Sequence, residues 1–110
     1  MDENAERIII PGLERIIIAE AAFDRVAAAH RQLEEALDGF DDVLDDLDLV
    51  SDYYGSPEWF DDREEDEKGE LPQDLKRGIL SEDLPYDELI ELRSLALRML
   101  EIATDTLYIV

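Results

Sequence analysis

Cysteine is absent from the 110-residue chain, and histidine occurs once. The first absence excludes disulfide frameworks, zinc ribbons and thiol nucleophiles. The second excludes multi-histidine metal sites built within one chain. Basic residues are scarce: 10 Lys and Arg stand against 31 Asp and Glu, a formal charge of −21. A surface of that sign repels nucleic-acid phosphates and anionic membranes, so no direct nucleic-acid or membrane partner is expected. Long hydrophobic runs are missing as well. The opening residues MDENAERIIIPG begin acidic, and their run of three isoleucines ends at Pro11. A secretory signal needs a basic start and about 7–15 apolar residues, and no window approaches the roughly 18 apolar residues of a membrane span. The expected location is the cytoplasm, and the length suits one domain.

What is present is helical periodicity. Alternating steps of three and four from Ile16 reach Ala19, Phe23, Val26, His30, Leu33, Leu37, Phe40, Leu44, Leu47, Ser51 and Tyr54, of which only His30 and Ser51 are polar. This heptad seam predicts a long helix over residues 13–54, behind an N-terminal extension at 1–12 in which Pro11 breaks the pattern. Gly39 costs up to about 1 kcal/mol relative to Ala and marks a candidate kink. Gly55 suits the left-handed position just past a helix end.

Ser56-Pro57-Glu58 then reads as a helix start: serine at the cap, proline at the first helical position, an acid in the first turn. The short helix it opens is expected to carry Trp59 and Phe60 inward and to stop before Gly69. Residues 70–83, broken by Pro72 and Gly78, read as turns with room for one short helical turn. A return helix is predicted over 84–107, with Leu89, Leu92, Ala96, Met99 and Ala103 on its stripe. Strand signals are nearly absent. The expected architecture is all-α: one domain over residues 1–110, in which a long N-terminal helix and an antiparallel C-terminal helix are joined by a crossover of short helices and turns at 56–83.

The crossover carries a specific pattern. Tyr53, Tyr54, Ser56 and Trp59 form YY-x-S-x-x-W. Asp66, Glu67, Gly69, Leu71 and Pro72 form D-E-x-G-x-L-P. Residues 74–86 read DLKRGILSEDLPY, ending on Tyr86. This stretch resembles a bacterial family known only as domain-of-unknown-function family 4298, and the resemblance implies a helical fold. No activity, cofactor or catalytic residue comes with that family.

Residues 38–67 hold 14 acids (Asp38, Asp41, Asp42, Asp45, Asp46, Asp48, Asp52, Glu58, Asp61, Asp62, Glu64, Glu65, Asp66 and Glu67) and one base, Arg63. Those on the long helix avoid the seam, which makes a solvated outer face. The pairs Asp38–Asp42, Asp41–Asp45, Asp42–Asp46 and Asp48–Asp52 each destabilise a helix by roughly 0.2–0.5 kcal/mol, so a compensating charge is expected. A calcium loop does not supply it: aligning an EF-hand glycine on Gly69 puts Lys68 at the fifth position and Leu75 at the twelfth, where a bidentate glutamate is required. A di-iron Glu-x-x-His motif fails because Ala27 stands three residues before His30. No metal or cofactor is expected.

His30 reads as a partly buried seam imidazole, and no serine lies in a glycine-rich elbow beside it, so no catalytic residue is assigned and no enzyme is expected. Lys76-Arg77 reads as a local clamp onto Glu82, Asp83 or the acidic block. Tyr53, Tyr54, Trp59 and Tyr86 read as an aromatic plug where helices meet.

The functional expectation is a small acidic protein-interaction module. Its candidate interaction surface is Asp38, Asp41, Asp42, Asp45, Asp46, Asp61, Asp62, Lys76 and Arg77, fit for a basic protein partner. A nucleic-acid-mimicking inhibitor of a DNA- or RNA-binding protein is the alternative. Self-association is also expected. A return helix of about 24 residues spans roughly 36 Å against roughly 60 Å of seam, so it runs out near Leu33. That leaves Ile16, Ala19, Phe23, Val26 and His30 as a candidate homodimer seam.

Overall fold

The computed structural model describes residues 10–110 and divides the chain into two compact units, one ending at Val43 and the other spanning Leu44–Val110. The described residues form four α-helices and one 3-10 turn, with no strand among them. The all-α class and the order of long helix, short crossover helix and return helix are as the sequence reads. The part of the extension before Ile10 lies outside the described residues.

Helix α1, Leu13–Asp41, starts on the Ile10-Pro11-Gly12 turn, where the Leu13 amide donates to the Ile10 carbonyl at 3.1 Å. It runs through Gly39 without interruption. The single helix expected over 13–54 is instead divided at Asp42–Val43, beyond the glycine. There the ladder tightens: the Asp42 amide still reaches Asp38 four residues back, whereas the Val43 amide donates to Phe40, three back. That switch is how helix ends commonly satisfy their last carbonyls. The like-charge pairs Asp41–Asp45 and Asp42–Asp46 both span this break. The heptad pattern passes straight across it, so periodicity alone gave no sign of the division.

No residue of α1 is buried. Phe23, Val26 and Leu33 are 65%, 66% and 56% exposed. His30, expected to be partly buried, is exposed and sits 3.9 Å from Glu34, one turn on.

The second unit begins with α2, Leu44–Tyr53, ended by Gly55 in the left-handed conformation at φ 79°. Helix α3, Pro57–Glu67, follows immediately. Its cap is the expected one: Ser56 is extended, its hydroxyl accepts from the Trp59 amide at 3.2 Å, and Pro57 takes the first helical position. Gly69, at φ 72°, closes α3 with the amide of Glu70 donating back to Glu65. A 3-10 turn at Gly78–Leu80 precedes the return helix α4, Asp83–Ile109. The Ser81 hydroxyl accepts from the Leu84 amide at 3.2 Å, a serine cap of the same kind as Ser56. The buried residues of this unit are Trp59, Leu80 and Pro85. Leu47, Val50, Tyr53, Tyr54, Ile79, Leu89 and Leu92 are half-buried.

Candidate functional site

Trp59 is the centre of the second unit. Ser56 sets where α3 begins, which puts Trp59 at the third helical position, and only 3% of it remains exposed. Its indole N–H donates to the Ile79 carbonyl at 2.8 Å, tying α3 to the 3-10 turn. The Tyr54 ring stands edge-on to it at 4.9 Å and Phe60 at 5.0 Å, both in the favoured T-shaped arrangement. The Arg63 guanidinium lies 4.8 Å from the indole centroid, where the ring's quadrupole attracts a cation. Phe60 is not carried inward as expected; it is 58% exposed. Consecutive helical residues point about 100° apart, so with Trp59 buried its neighbour covers the edge of the indole and faces solvent. Tyr86 is exposed as well and does not join the plug.

The remaining motif residues brace this centre. The Tyr54 hydroxyl donates to the Glu82 carbonyl at 2.7 Å, linking the end of α2 to the start of α4. The Tyr53 hydroxyl donates to the Asp62 carboxylate at 2.5 Å. That bond, then burial and then the carboxylate's charge, push the Tyr53 phenol up from 10.0 to about 12. Arg77 holds Asp66 at 2.5 Å through Nη1, while Nη2 donates to the Pro72 carbonyl and Nε to that of Leu75 at 3.3 Å. The clamp expected of Lys76-Arg77 therefore falls on the acidic block, at Asp66, and Arg77 alone makes it.

Two residues of the candidate acidic surface are thus engaged internally: Asp62 by Tyr53, and Arg77 by Asp66. The others, Asp38, Asp41, Asp42, Asp45, Asp46, Asp61 and Lys76, are exposed. Within the second unit, Asp45, Asp48, Asp52 and Glu58 line an open notch of about 550 Å³ beside Tyr53 and Ser56. Among the described residues no trio of His, Asp or Glu is placed to hold a metal ion, and no helix is long and apolar enough to cross a membrane.

The residues that sequence reasoning missed are the backbone acceptors at Ile79, Glu82, Pro72 and Leu75. Any residue carries a carbonyl, so no side-chain pattern marks them.

These features define a class: an all-α protein whose most specific motif makes a structural junction of caps, an arginine clamp and one buried indole. The chain belongs to the family described as a domain of unknown function (DUF4298), which matches residues 16–102. No curated protein and no solved structure matches it.

Proposed function

We propose that the protein is a small cytoplasmic interaction module that self-associates through the α1 seam and offers its acidic surface to a basic protein partner. The observation that carries this reading is the state of α1. It has 29 residues and none is buried, although Ile16, Phe23, Val26, Leu33 and Leu37 recur along one stripe. A helix in water draws most of its stability from packing an apolar face, not from propensity. Contiguous exposed apolar patches on soluble chains mark contact sites. The motif residues do not compete for a functional role, because Tyr54, Trp59 and Arg77 are spent on internal bonds. This reading contains no chemical step.

Replacing Phe23 with Asp tests it. Wild-type protein is expected to scatter light as a dimer and Phe23→Asp as a monomer of unchanged helix content in the second unit. A wild type that remains monomeric at tens of micromolar contradicts the proposal.

A further inference from the structure

We draw no further inference here: the strongest candidate, the open notch of the second unit where Asp45, Asp48, Asp52 and Glu58 stand beside Tyr53 and Ser56, is an acidic cluster with no buried, unpartnered side chain among the described residues aimed into it to point to a ligand.

Discussion

The Trp59 indole and the Ile79 carbonyl meet at 2.8 Å across 20 residues of chain, and around that bond the second unit is organised. The bond works because the caps on either side set its geometry. Ser56 fixes the start of α3 so that Trp59 faces inward, and the 3-10 turn at Gly78–Leu80 presents the acceptor. Tyr54 and Arg77 then fasten the neighbouring segments, so one indole joins elements that have little other buried surface between them.

Trp59→Ala is expected to destabilise the second unit by about 3–5 kcal/mol, the usual range for emptying a buried aromatic site. Urea unfolding followed by circular dichroism measures it. Trp59→Phe keeps much of the volume but leaves the Ile79 carbonyl without its donor, and its cost should be smaller. Wild-type tryptophan emission is expected well to the blue of the free amino acid; emission at the free amino acid's wavelength contradicts the burial.

Tyr53 is expected to ionise near 12 rather than near 10. Its folded value lies above its unfolded one. The Tyr53–Asp62 bond therefore contributes fully to stability below about pH 10, the unfolded value, and its contribution is lost as pH rises toward 12. Asp62→Asn removes the carboxylate that holds the proton. A spectrophotometric titration should then show the high-pH tyrosine component shift down; an unchanged curve contradicts the pairing.

Arg77→Ala is expected to cost about 1–2 kcal/mol, in the range for charge-assisted hydrogen bonds that keep partial solvent access. Arg77→Lys should recover little of it. A lysine ammonium lacks the planar fork that reaches Asp66, Pro72 and Leu75 together. Thermal melts of the two variants beside wild type check this, and full recovery by lysine contradicts the clamp.

Much of this unit was legible in the sequence because its signals are local. Ser56-Pro57, Gly55 and Gly69 act within one turn of where they stand, and each took the expected backbone role. Arg77 was legible as a clamp, though its choice of Asp66 over Glu82 or Asp83 depends on the path the chain takes through the turn at Pro72, which local signals do not specify. Other expectations failed for physical reasons, beside that of Tyr86 in the aromatic plug. Phe60 cannot share a face with the residue before it. The helix divides at Asp42–Val43 while the heptad pattern continues across the break. His30 holds a seam position, yet it is exposed and lies beside Glu34 one turn on. The acidic residues were legible as a surface, and their internal partner, Tyr53 for Asp62, was not, since a phenol pairs with whatever acceptor the fold brings.

Salt is expected to raise the melting temperature. Screening weakens repulsion among the carboxylates of residues 38–52 and, in a dimer, between copies. A melting temperature that is flat or falls across a sodium chloride series contradicts this balance of charges.

The central claim is that α1 is an association surface, and sedimentation equilibrium of the unmodified chain tests it most directly. The account predicts a species of twice the 12.6 kDa chain mass at tens of micromolar, reduced to the single-chain mass by Phe23→Asp. A wild-type protein that sediments at 12.6 kDa across that range contradicts it.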